Sequence, residues 1–341
     1  MKIRYPVSGV PIGAEAEEIV DGLLWFRLPL PMALDHVNIF ALRDDDGWTL
    51  VDTGMRTGKA RALWSQILAG PLAGAPVRRV ILTHHHPDHV GFAGWFRREC
   101  GAEILATRIA WLTARMLTLD EQAHPTPEAI EFYRGTGVPD ASLAEYEQKR
   151  PFNFSDCVHP IPNGFKRIRD GDKVKIGGRI WKVRIGHGHA PSHATFWCED
   201  APLVLGGDQF LPEITPNIGV YPTEPEADPL RGFLKSCKKF MRFTRPDHLV
   251  LPGHKQPYTG LKLRLKQLLD NHDQALARLR SLLANPVTTF DTLNAVFQRP
   301  IRSSEFSMAL AEAQAHLNFL VERGEASREL NGKGVWIWRR R

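Results

Sequence analysis

The stretch Thr83-His84-His85-His86-Pro87-Asp88-His89 concentrates four side chains that can ligate a metal: His84, His86, Asp88 and His89. Imidazole and carboxylate suit zinc and its first-row neighbours. The apolar run Val80-Ile81-Leu82 precedes the stretch, and Val90-Gly91-Phe92-Ala93-Gly94-Trp95-Phe96 follows it. The order reads as a buried strand, a ligand-bearing turn and a helix. Residues two apart share one face of a strand, so His84 and His86 can reach one ion. Asp88 and His89 lie past the bend and can face a second. A solvated histidine-rich turn or a tag is the blander reading. The position far from either terminus, directly after a core strand, speaks against it.

Further candidates also follow apolar runs. Gly186-His187-Gly188-His189-Ala190-Pro191-Ser192-His193 comes after Ile180 to Ile185, Asp208 after Leu203-Val204-Leu205, and His254 after His248 to Leu251. Earlier strands are expected over 17–28, 36–42 and 48–52, the last two joined by the Asp44-Asp45-Asp46-Gly47 turn. A helix is expected from Lys59 to Leu68, stopped by Gly70-Pro71. Residues 108–150 change to helical spacing and read as an insertion, either a substrate wall or a peripheral packing element. After Pro257 the pattern is three helices (261–284, 290–297 and 305–323) and a hairpin on Asn331-Gly332-Lys333-Gly334. That order resembles a winged helix. The fold class is therefore α/β, with a catalytic domain over 1–257 and a small C-terminal domain over 258–341.

Strand ends aligned along one rim are what a multi-segment metal site needs. Together with Asp52-Thr53-Gly54, the motifs resemble the metallo-β-lactamase superfamily over about residues 15–257. His84-x-His86-x-Asp88-His89, Gly188-His189-Ala190-Pro191-Ser192-His193, Gly207-Asp208 and Gly253-His254 stand in the family's order. The resemblance implies an αββα sandwich with two facing sheets and helices outside. It implies that His84, His86 and His189 hold one metal, that Asp88, His89 and His254 hold a second, and that Asp208 bridges them. Two divalent ions are expected, zinc first, with iron or manganese compatible with the same donors. The family spacing selects His189 over His187 and His193 as the ligand. His193 is then a candidate catalytic residue beside Asp88, supporting the ligands or touching the substrate. Asp208 stands where true β-lactamases of the family commonly carry cysteine, which argues against antibiotic hydrolysis. Asp52 is expected to orient the metal loop. His36 either lines the pocket or is structural. His124, His159, His248, His272 and His316 have no ligand-like context in the sequence and read as structural.

The expected chemistry is hydrolysis. A water between two divalent cations is acidified to hydroxide near neutral pH and attacks an acyl or phosphoryl centre. The first reading of the substrate is a thioester or small acyl ester or lactone, carried by coenzyme A, glutathione or a carrier protein. The second is single-stranded RNA, with the C-terminal domain as a platform. A third makes that domain a dimerisation or packing element, so a homodimer is among the expected assemblies.

Composition bounds these readings. The 341 residues are 43% hydrophobic and 24% charged, ordinary for a globular protein with a full core. The net charge is +6, and Leu261 to Arg341 holds 13 Lys/Arg against 8 Asp/Glu. That surplus suits an anionic carrier but is small for a nucleic-acid platform. Cys100, Cys157, Cys198 and Cys237 are scattered with no CxxC pair, the pattern of idle thiols in a reducing compartment. No apolar stretch is long enough to span a bilayer and no signal-peptide run follows Met1, so a cytoplasmic location is expected.

Overall fold

The alternation of side chains along the early strands decides the layering. In β2 (Leu23–Pro29), Leu23 and Trp25 point one way and Phe26 and Leu28 the other, and all four are buried. A strand buried on both faces needs cover on both. A computed structural model, which describes residues 2–341, supplies it in two compact units. The first unit comprises the chain up to Glu121, Asn153–Pro216 and Met241–Arg264. The second comprises Gln122–Phe152, Asn217–Phe240 and Leu265–Arg341.

In the first unit, β1 (Glu17–Val20), β2, β3 (His36–Asp44), β4 (Gly47–Val51), β5 (Val77–Ile81), β6 (Glu103–Ala106) and β7 (Lys166–Arg167) form one sheet in sequence order. It is antiparallel to β4 and parallel from β4 onward. A second sheet has the order β12-β11-β10-β9-β8, built from β8 (Lys173–Ile176), β9 (Arg179–Gly186), β10 (His193–Cys198), β11 (Leu203–Gly207) and β12 (Leu249–Pro252). Leu23, Trp25, Phe40, Leu42, Val51 and Ile81 of the first sheet share a core with Trp181, Val183, Phe196, Leu205 and Leu251 of the second. The opposite face of the first sheet packs on Ala60, Trp64 and Ile67 of α1 (Gly58–Ala69) and on Trp95 and Phe96, which follow the short helix α2 (Pro87–Val90) in α3 (Ala93–Cys100). The sandwich of facing sheets with outer helices is thus present. The single strand expected over 17–28 is broken at Asp21-Gly22, where Gly22 takes φ +71° and β1 turns back on β2. The two-residue β7 has no sequence signal.

The helical stretch expected at 108–150 divides. α4 (Arg108–Leu119) belongs to the first unit, and α5 (Pro127–Gly135) and α6 (Asp140–Gln148) to the second. The second unit also holds most of α7 (Pro229–Met241), α8 (Leu261–Leu282) from Leu265 onward, α9 (Leu293–Phe297), α10 (Phe306–Glu322) and the hairpin of β13 (Ala326–Leu330) with β14 (Trp336–Arg340). Asn331 fixes the hairpin turn, its Oδ1 accepting from the Lys333 and Val335 amides. Phe132 of α5 packs with Val220, Ala315 and Trp336, so the inserted helices share a core with the C-terminal elements. The sequence pattern predicts one-sided burial for α10. Instead Ala309 to Leu320 are all buried, and the polar residues inside are partnered: Gln314 accepts from Thr289, and the Asn318 amide donates to the Pro225 and Ala227 carbonyls. Among the described residues no helix is long and apolar enough to cross a membrane.

Candidate metal centre

The candidate ligands stand at or just beyond C-terminal strand ends of the first unit. His84 and His86 follow β5, His189 follows β9, Asp208 follows β11 and His254 follows β12. The turn through Pro87 into α2 brings Asp88 and His89 back to the same place. One ligand-capable atom each from His84, His86 and His189 lies within 4.8 Å of the others. The same holds for His84, His89 and Asp208, and for Asp88, His89 and His254. His84 Nε2 is 3.0 Å from His86 Nδ1 and 3.3 Å from His189 Nε2. Asp208 lies between the groups: Oδ2 is 3.4 Å from His189 Nε2 and 3.2 Å from His254 Nε2, and Oδ1 is 3.4 Å from His89 Nε2. Asp88 Oδ2 is 3.6 Å from His89 Nε2 and 3.4 Å from His254 Nε2.

Hydrogen bonds behind these residues choose their tautomers. Asp52, held at φ +63°, accepts from the Thr83 amide, the Thr83 hydroxyl and His89 Nδ1, each at 2.8 Å. The Thr83 hydroxyl, having given its proton to Asp52, accepts from His84 Nδ1 at 2.9 Å. His254 Nδ1 donates to the His36 carbonyl at 2.7 Å. His84, His89 and His254 therefore all turn Nε2 toward the cluster, the arrangement that readies imidazole for a metal. Thr53 ties Asp52 to the helix side, its amide and hydroxyl both donating to the His89 carbonyl. Asn38 donates to the Pro252 and Lys255 carbonyls and so brackets the His254 turn. Gly253 is required there, because a Cβ would sit 2.1 Å from Asp208 Oδ1.

The remaining candidates fall as follows. His193 is fully buried, stacked on His84 at 4.7 Å, and its Nε2 accepts the Asp208 amide at 3.1 Å. It fixes Asp208 through the backbone, the supporting role that the sequence allows it. His36 accepts from the Lys255 amide through Nε2 and pairs with Asp35 through Nδ1, a structural role in the same turn. Motif spacing does not single out Asn38, Thr53 or Thr83 as functional. The one signal for Asn38 is a polar residue inside the apolar run His36 to Leu42.

The electrostatics fit a cation. Burial, with neighbouring histidines adding to it, holds His84 and His86 well below the ordinary histidine range, so both are neutral donors of a lone pair. Burial acts the same way on His254, but Asp208 and Asp88 outweigh it and push it up to about 10. His89 is likewise raised by Asp208, Asp88 and Asp52 against its own burial. His89 Nε2 and Asp208 Oδ1 are buried with no hydrogen-bond partner among the described residues, although they face each other at 3.4 Å. Imidazoles and carboxylates gathered in this way are the donors that divalent metals of the zinc class take up, and such an ion would displace the protons held by His89 and His254.

Comparison with known proteins agrees with this geometry. The family model described as the metallo-beta-lactamase superfamily matches residues 32–277. The chain belongs to this superfamily. A second model, for the metallo-beta-lactamase-like C-terminal domain, matches residues 276–341. The crystal structure of a beta-lactamase domain protein from Burkholderia ambifaria is 34% identical, with TM-score 0.91, 99% of this chain and 98% of that one being covered. A metallo-beta-lactamase family protein from Thermus thermophilus is 28% identical, with TM-score 0.78, over 95% of this chain and 100% of its own. Among curated proteins, a probable metallo-hydrolase of Bacillus subtilis (strain 168), YqjP, is 26% identical over 93% of this chain and 98% of its own.

Proposed function

We propose that this superfamily member is a metal-dependent hydrolase of thioesters or small acyl esters and lactones, acting at a dinuclear centre. The convergence of His84, His86, Asp88, His89, His189, Asp208 and His254 on one rim carries the reading. His84, His86 and His189 would hold one ion and Asp88, His89 and His254 the other. Asp208 would serve both, since its two oxygens face histidines of the two groups. Zinc is the first expectation, and iron or manganese suits the same donors.

When bound, the ions supply Lewis acidity, acidifying a water and offsetting charge that develops on the electrophile. The side chains do the rest. Asp88 is the more open carboxylate, with 16% of its side chain exposed against 6% for Asp208. It would take the proton of the nucleophile and return it to the leaving group. His193 keeps Asp208 in register.

An acyl substrate is favoured by α4. Its N-cap, Thr107, donates to the Ser192 carbonyl in the loop between His189 and His193, so the helix starts at the rim. Ile109, Leu112, Met116 and Leu119, at helical spacing along it, are all exposed. An acyl chain lying along this stripe would bury it. The basic C-terminal segment suits an anionic carrier such as coenzyme A. The RNA reading needs open aromatic faces for stacking. Trp338 is fully buried, however, and Trp336 packs edge-on to Phe132. The test is a panel of acyl-CoA, acyl-glutathione, lactone and single-stranded RNA substrates with the zinc-loaded protein. Thioester or lactone turnover is expected, and RNA cleavage without it would overturn the assignment.

A further inference from the structure

Two histidines that have no metal context in the sequence meet in the second unit. His272 of α8 and the Glu312/His316 pair of α10 each place one ligand-capable atom within 4.8 Å of the others. All three are buried, with 1%, 9% and 0% of the residue exposed. Glu312 and His316 are four apart on one helix, so they share a face. His272 Nδ1 lies 3.1 Å from His316 Nε2. The separation of two nitrogens bound tetrahedrally to one zinc is about 3.3 Å.

The tautomers narrow what can occupy this place. His316 Nδ1 is 2.8 Å from the Glu312 backbone carbonyl, which only accepts, so Nδ1 carries the hydrogen and Nε2 the lone pair. That is how His254 is held in the first unit, by a carbonyl behind the ring. Without a cation, His272 Nδ1 must donate to His316 Nε2. The lone pair of His272 Nε2 is then left buried, with no partner among the described residues. With a cation, His316 Nε2 and His272 Nδ1 both turn a lone pair to the ion, and the hydrogen of His272 moves to Nε2. The Glu312 carboxyl is bonded by the Asn217 amide at 3.0 Å.

We propose that His272, Glu312 and His316 bind one divalent transition-metal ion of the zinc class, distinct from the candidate hydrolytic centre. Its burial leaves no approach for a substrate, so the role is structural, fastening α8 to α10. Zinc per chain, measured on the full-length protein after dialysis against micromolar zinc, tests this with E312Q and H316Q as variants. The wild type is expected to hold one equivalent more than either variant, while thioester turnover stays unchanged. E312Q conserves shape and keeps an oxygen to accept from the Asn217 amide, so it is the variant more able to fold. Zinc-edge anomalous diffraction from zinc-soaked wild-type crystals decides the matter independently of any variant. A peak among the three side chains is expected. Equal zinc content in wild type and E312Q, or no peak there at saturating zinc, would overturn the proposal.

Discussion

His84, His89 and His254 each depend on a partner behind the ring that fixes the role of Nδ1. Asp52 accepts three hydrogen bonds with two oxygens, and an asparagine amide would turn an N–H toward one of those donors. D52N is therefore expected to weaken zinc binding by about 10- to 100-fold, with turnover returning when zinc is in excess. Competition with a chromogenic chelator measures it, and unchanged affinity would show that Asp52 merely packs. By contrast, D88A and H86A remove groups from the centre itself. Each is expected to lower kcat/KM by at least about 10²-fold at saturating zinc, with an unchanged circular dichroism spectrum. The seven residues of the first unit were legible because motif spacing ties them to strand ends. Asn38, Thr53 and Thr83 were not, because a hydrogen-bond partner leaves no spacing in sequence. His272 and His316 lie 44 residues apart on different helices, and only packing brings them together.

The elements add specificity and pH response. If the α4 stripe receives the acyl chain, L112S/M116S should raise KM for a long-chain thioester by about 10-fold and leave acetyl thioester turnover nearly unchanged. Equal effects on both chain lengths would remove α4 from the site. His248, just before β12, is buried against Trp197 and accepts the Arg245 amide through Nδ1. Burial, helped by Arg245, lowers it to about 4, whereas an unfolded histidine titrates near ~6.5. The depressed value means its contribution is fully present above the unfolded value and is lost as pH falls toward 4. H248N, which keeps an acceptor for Arg245, should flatten the pH dependence of stability in that window by up to about 1.4 kcal/mol per pH unit in urea unfolding. Identical slopes would contradict the assignment. Most element bounds were legible from hydrophobic period and from Gly or Pro stops. α10 reads as one-sided in sequence because its buried polar residues, paired with distant loops, mimic a solvent face.

At the scale of the whole chain, each compact unit is assembled from three separate segments. Sequence order suggests a simple division near residue 257, since nothing in composition marks 122–152 or 217–240 as partners of the C-terminal elements. Phe132 against Trp336 is a contact between residues about 200 apart, visible only once the chain has folded. The superfamily architecture was legible because each strand end carries a motif, whereas surfaces such as the α4 stripe, proposed to receive the acyl chain, carry none. The central claim is that a metal centre in the first unit hydrolyses acyl substrates. Its most direct test is the turnover of a medium-chain acyl-CoA by chelator-stripped protein during stepwise return of zinc. The stripped protein should be at least about 10²-fold slower, with activity restored as zinc is bound. Near-normal turnover by the stripped protein would contradict the account.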